Sequence, residues 1–187
     1  MNSARKLKAR AGNSPVNNMN PYVLLAKEAV ESYIRKRKVI SVGGKLPQEF
    51  KGRAGVFVTI MQGKELRGCI GTYLPTQDNI AQEIIQNAIA AAVEDYRFSP
   101  IRKEDLTFLS YSVYILSTPV IIKDKNELNP RKFGIIVKAG RRSGLLLPDL
   151  EDVDTVDQQI AIACQKGDID PEKERIDIYK FIAEKYE

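Results

Sequence analysis

Hydrophobic positions fall into alternating helical and strand periods along most of the chain. Val23, Ala26, Val30 and the pair Tyr33-Ile34 recur at helical spacing behind Asn20-Pro21, a cap and a first-turn proline. The predicted helix closes on the basic run Arg35 to Lys38, where cations complement the helix dipole. "GVFVTIM" reads as a strand, Gln62-Gly63-Lys64 as a tight turn, and "ELRGCIGTY" as the returning arm of a hairpin. Past Pro75 and Thr76, "QDNIAQEIIQNAIAAAVED" places Ile80, Ile84-Ile85, Ala88-Ile89 and Ala92 on one helical face. "DYRFSPIRKEDL" is a loop with a short helical turn. "TFLSYSVYILSTPVII" is strand material, with Leu109, Tyr111, Val113 and Ile115 alternating with Ser110, Ser112 and Tyr114. After the polar linker "KDKNELNPRK", "FGIIVKAG" and "GLLLP" form a second hairpin about Arg141-Arg142-Ser143, and "DTVDQQIAIACQKG" a helix ending on Gly167. The final "ERIDIYKFIAEKYE" carries both periods; alternation of Ile176 and Ile178 favours a strand.

The two hairpins echo one another, each ending in Leu-Pro and leading into a helix. The pattern therefore predicts an α+β fold, a mainly antiparallel sheet of β-hairpins with packed helices, in two comparable halves with any cleft between them.

With 187 residues, 43% hydrophobic and 28% charged, the chain suits one well-buried core in a soluble protein. No apolar run approaches the roughly 18 residues of a membrane span, and the start lacks the apolar centre of a signal peptide. Arg5, Lys6, Lys8 and Arg10 carry all but one unit of the net charge of +5. Residues 1–18 are accordingly expected to be a flexible, basic, solvated extension ahead of a domain spanning 19–187. Two cysteines, Cys69 and Cys164, without an export signal point to a reducing cytoplasm. Histidine is absent, which excludes Ser-His-Asp and Cys-His catalysis and His-ligated metals.

The candidate chemistry lies in two places. In a regular strand over 65–73, Arg67, Cys69 and Gly71 share one face and Leu66, Gly68, Ile70 and Thr72 the other, which sets Arg67 and Cys69 roughly 6–7 Å apart. Arg67 would then favour a Cys69 thiolate, with Lys, Asp, Glu or Tyr as the only available base; the alternative is a buried structural thiol. Gly68 and Gly71 admit either a ligand or a neighbouring helix against the backbone. In "EDYRFSP", Asp95, Arg97 and Phe98 either fix a loop or belong to a site. The acids Asp149, Glu151, Asp152, Asp154 and Asp157 lack the glycine and terminal glutamate of a calcium loop, so no metal is expected there. No phosphate-loop, dinucleotide or CxxC motif occurs, and no cofactor is implied.

"LRGCIGT" makes the chain recognisable, together with "GVFVTI", "IAQEIIQNAIAAAVEDYRFSPI", "LSYSVYILSTP" and "FGIIVKAGRRSGLLLP" in that order. Over Pro21 to Glu187 it resembles the AMMECR-domain family, whose prokaryotic members are called AmmeMemoRadiSam system protein A. The resemblance implies an α+β fold with a larger and a smaller subdomain and the "LRGCIGT" strand bordering their cleft. It implies a ligand or cleft site at Arg67, Gly68, Gly71, Thr72, Asp95, Arg97 and Phe98, with Cys69 the candidate catalytic residue. It also implies association with a Memo-type protein and a radical S-adenosylmethionine protein, or a role in basal cellular machinery; it supplies no reaction. Family members tend to carry an aromatic, often Trp, in the helix after "LLLP", whereas this chain has no Trp. Three functions follow as expectations: an accessory or ligand-binding protein with those two partners, an enzyme using Cys69, or a nucleic-acid binder using the basic tail and Arg35 to Lys38.

Overall fold

The computed structural model describes residues 19–42 and 46–187; the basic extension expected at 1–18 lies outside them. The first helix, α1 (Pro21–Lys36), starts where the Asn20 side chain accepts the Tyr22 N–H at 3.0 Å. It ends at Arg37, whose left-handed backbone directs its N–H to the Tyr33 carbonyl. Arg35 and Lys36 occupy the last turn and the Arg37 guanidinium lies over the Tyr33 ring, so the basic run serves the helix end.

The expected hairpin is present as β1 (Gly55–Gln62) and β2 (Glu65–Thr72), followed by α2 (Ile80–Val93). Asn79 caps α2 by accepting the Gln82 N–H. Strand β3 (Leu109–Leu116) pairs with the far edge of β1. The second hairpin is β5 (Gly134–Ala139) and β6 (Arg142–Leu146), and α3 (Val156–Lys166) follows with a capping box between Thr155 and Gln158.

Two segments that read as continuous strand material each divide between sheets. "TFLSYSVYILSTPVII" gives β3 and then the short β4 (Val120–Ile121); the C-terminal segment gives β7 (Asp177–Phe181) and β8 (Ala183–Tyr186). All pairing is antiparallel, with one sheet ordered β2-β1-β3-β8 and the other β4-β7-β5-β6. Both chain segments cross between sheets side by side. The Ser117 N–H donates to the Ile182 carbonyl and the Ile182 N–H to the Ser117 hydroxyl, each at 2.9 Å.

The layers follow from the alternation. Val56, Val58, Ile60, Tyr111 and Val113 bury one face of the first sheet under α1 and α2, forming the core of the larger subdomain. Ile135, Val137 and Ala139 pack on Ala163 and Cys164 of α3, the core of the smaller one. Between the sheets, Phe57, Tyr114 and Leu116 meet Ile136, Leu145, Tyr179 and Phe181. The fold is thus α+β, with three helices and two antiparallel sheets.

The hairpin echo has a common steric cause. A Cβ on Gly68 of β2 would lie 1.9 Å from the Ala91 carbonyl oxygen of α2, and one on Gly144 of β6 would lie 1.7 Å from the Ala163 carbonyl oxygen of α3. In each half the returning arm touches the backbone of the helix that follows it, and only glycine permits that approach.

Candidate functional site

β2 is an edge strand, and its irregularity arranges the site. The register passes from Ile60 opposite Gly68 to Met61 opposite Leu66, leaving Arg67 as the extra residue of a β-bulge. The bulge breaks the alternation that would put Arg67 beside Cys69. Arg67 turns away, donating to the Gln62 amide oxygen at 2.6 Å and approaching Asp105 at 3.9 Å, while the Cys69 sulfur lies 3.3 Å from the Thr59 hydroxyl.

Thr72 also leaves the set. Its hydroxyl donates to Glu83 at 2.6 Å on the helix side of the sheet. Glu83 is buried and accepts further bonds from the Thr76 hydroxyl and the Thr76 and Gln77 N–H groups. Burial pushes its carboxyl pKa up, but these bonds, led by Thr72, outweigh it and the net direction is down. Both motif glycines serve internal packing: Gly68 admits α2, and a Cβ on Gly71 would lie 2.3 Å from the Phe57 ring. Of the two readings of these glycines, close approach of a neighbouring element is the one these contacts describe.

Cys69, Asp95, Arg97 and Phe98 do come together. The Cys69 N–H, on the open edge of β2, donates to Asp95 Oδ2 at 2.9 Å, and Arg97 Nη2 donates to the Cys69 carbonyl at 3.2 Å. Arg97 in turn grips Asp95 through Nε to Oδ1 at 2.9 Å and Nη2 to Oδ2 at 2.7 Å, and its guanidinium lies 5.2 Å from the Phe98 ring centroid. The Asp–Arg pair therefore occupies the place of a neighbouring strand at one residue of a sheet edge. Asp95 is 5% exposed. Hydrogen bonding from Arg97, aided by the Cys69 and Arg97 backbone N–H groups, overcomes the effect of burial and holds its carboxyl at about 2.

Two residues not singled out in the sequence complete the surroundings. Lys166, at the end of α3, donates to the Leu145 carbonyl of β6 at 3.3 Å, and its charge is acted on by both the Cys69 thiol and the Arg97 guanidinium. Desolvation lowers the Lys166 pKa, Cys69 opposes that and Arg97 adds to it. Tyr114 of β3 is half-buried, and burial chiefly raises its pKa. The last turn of α3 supplies Lys166, which the sequence does not single out, to the β6 edge. Sheet packing buries Leu116, while Phe57, Tyr114, Thr59, Met61 and Cys69 are half-buried. A cavity of about 510 Å³ lies elsewhere, between Val39–Val42 and α2, and none of the Cys69 cluster lines it.

Of the acidic group, Asp149 and Asp154 pair with Arg131, and Asp157 with Lys125. Among the described residues no three His, Cys, Asp or Glu side chains converge to hold a metal, and no helix is long and apolar enough to cross a membrane.

The AMMECR1 family model matches residues 23–186. The chain belongs to the AMMECR1 family. A Thermotoga maritima protein is 48% identical over 169 residues, spanning 89% of this AMMECR1 chain and 97% of its own. A Clostridium acetobutylicum protein is 44% identical over 153 residues, which are 81% of this chain but only 32% of that longer relative. The crystal structure of an uncharacterised protein from Pyrococcus horikoshii superposes on the AMMECR1 fold with a TM-score of 0.81 at 32% identity, covering 88% of each chain.

Proposed function

We propose that this AMMECR1-family chain is an accessory, ligand-binding protein whose recognition site is the surface around Cys69, and that it works with a Memo-type protein and a radical S-adenosylmethionine protein. The observation that carries the reading is the Asp95–Arg97 clamp: an ion pair with a buried carboxylate and a half-exposed guanidinium fixes both backbone groups of Cys69, whose side chain is half-buried. A sheet edge can be blunted by one exposed lysine or proline. Fixing one residue with a bidentate pair suits a residue whose position matters. Arg97, with 46% of its side chain exposed, retains surface for an anionic group. The partnership rests on the family resemblance and on the Clostridium relative, in which the matching region is about a third of a longer chain.

Affinity capture with the purified chain, against the Memo-type and radical proteins of its own genome, tests both parts when bound small molecules are then analysed by mass. The expected result is retention of one or both proteins, weakened at least tenfold by Arg97→Ala in a variant that still melts cooperatively. No retention at micromolar concentration, or retention unchanged by Arg97→Ala, overturns the proposal.

A further inference from the structure

We infer that the cavity between α1, α2 and the segment 39–42 binds an elongated, mostly apolar ligand with a cationic end, its ammonium group set against Glu94. The site is separate from the Cys69 surface and stands or falls independently of it.

Three pieces of chain build the cavity. Helix α2 contributes Gln82, Ile85, Gln86 and Ile89, which at i, i+3, i+4 and i+7 lie along one side of a helix. Tyr33 comes from the end of α1, and beyond the left-handed Arg37 the chain runs on through residues 39–42 as the other wall. At about 510 Å³ the cavity falls within the range of small-molecule sites. Its apolar lining is left partly in water, since Val39 is 57% exposed and Ile40 and Val42 are half-buried. Covering such side chains is the gain that an apolar ligand body offers. From Gln82 to Glu94 the lining follows α2 for about 18 Å, the length given by its rise per residue, so a ligand that fills it is elongated.

The charge of the cavity is one-sided. Among the described residues Glu94 is the one charged side chain that lines it, and Glu94 makes no ion pair there. Glu94 caps the end of α2, whose last turn carries no basic residue, so the negative end of the helix dipole adds to the carboxylate. Gln82 and Gln86 bring neutral amides that can hydrogen-bond a ligand without altering this balance. Arg37, whose guanidinium lies over the Tyr33 ring, lines a different depression with Arg102 and Lys103. A cation at the Glu94 end is therefore attracted and an anion repelled, whereas the apolar wall accepts the body of either.

Octylammonium, octanol and octanoate share one alkyl chain and differ in charge, so titrating each into the full chain while following amide and methyl NMR shifts tests the inference. Octylammonium is expected to give saturable shifts at Tyr33, Val39, Ile85 and Ile89. It is expected to bind about threefold tighter than octanol and about tenfold tighter than octanoate, the few-fold effect of an exposed charge acting once in attraction and once in repulsion. Added salt is expected to shrink these ratios and leave octanol unchanged. Glu94→Gln is expected to bring all three compounds to the octanol affinity, and Val39→Ser to weaken all three about threefold through lost apolar contact. Both side chains are exposed, so neither change opens the core. No saturable binding of octylammonium at millimolar concentration, shifts that map outside the cavity, an equal or reversed preference for octanoate, or a Glu94→Gln protein that keeps the preference overturns the inference. Retention of the partner proteins is read in a separate experiment, so either proposal can fail while the other holds.

Discussion

Replacing Asp95 by Asn keeps the shape of the clamp and removes its charge. In the wild type the carboxylate accepts the Cys69 N–H and holds Arg97 by two bonds, and its pKa falls from 3.8 to about 2. A carboxylate with so large a depression contributes roughly 2.5 kcal/mol at neutral pH, since each unit is worth about 1.4 kcal/mol. The sign follows from the depressed folded value: the contribution is complete above the unfolded pKa near 3.8 and is lost as the pH falls through about 2. Asn still offers an oxygen to Cys69 but cannot neutralise Arg97. Urea unfolding of both proteins at pH 7 and near pH 2 gives the assay, and the wild-type-minus-variant difference cancels the titration of Glu83 and the other acids. The expected difference is about 2–3 kcal/mol at pH 7, shrinking towards zero near pH 2. A difference under ~0.5 kcal/mol at pH 7, or one that does not change with pH, refutes the argument that the clamp is an energetically coupled ion pair.

Other contacts yield direct tests. Gly68→Ala pushes a methyl into the Ala91 carbonyl at 1.9 Å, and Gly144→Ala does the same to Ala163 at 1.7 Å. Each is expected to cost about 3 kcal/mol or more in denaturant unfolding, whereas Gly52→Ala, whose methyl meets only a side-chain atom at 3.6 Å, costs under ~1 kcal/mol. Glu83→Gln leaves the Thr72, Thr76 and Gln77 donors facing an amide; a loss of about 2 kcal/mol in the same assay is expected, with faster hydrogen exchange at residues 72–77. Lys138, whose ammonium lies 5.3 Å from the Tyr73 ring centroid and 5.0 Å from that of Tyr179, joins the subdomains by cation–π contacts. Lys138→Met is expected to lower the melting temperature by a few degrees, from about 1 kcal/mol lost.

Local periods carried the elements, because each helix and hairpin buries one stripe against a neighbour close in sequence. The alanine-rich face of α2 and the alternation through β3 are read off directly. Two kinds of feature were not visible. The bulge at Arg67 obeys no local rule that "ELRGCIGT" displays, yet it reverses the expected pairing of Arg67 with Cys69. The change of sheet at Ser117 and Ile182 is likewise hidden, because a strand run carries the same pattern whether or not it bends from one sheet to another. For the site, the clamp's members were legible as residue types but not as a clamp, since the Cys69 N–H and Asp95 are 26 residues apart.

The hairpin echo bears on the site more directly than on the fold. In each half a glycine draws the following helix onto the returning arm, and the next residue of that arm, Cys69 or Leu145, directs its carbonyl outward to a cation. The cation comes from just beyond α2 in one half and from the last turn of α3 in the other. β2 and β6 are both edge strands, and the sheets join through Phe57 of β1 on one side and Leu145 of β6 on the other. Edge protection in two similar halves thus sets one cation on each edge strand, Arg97 on β2 and Lys166 on β6. Severing the interface should therefore leave the clamp intact, because Cys69, Asp95 and Arg97 all belong to one half.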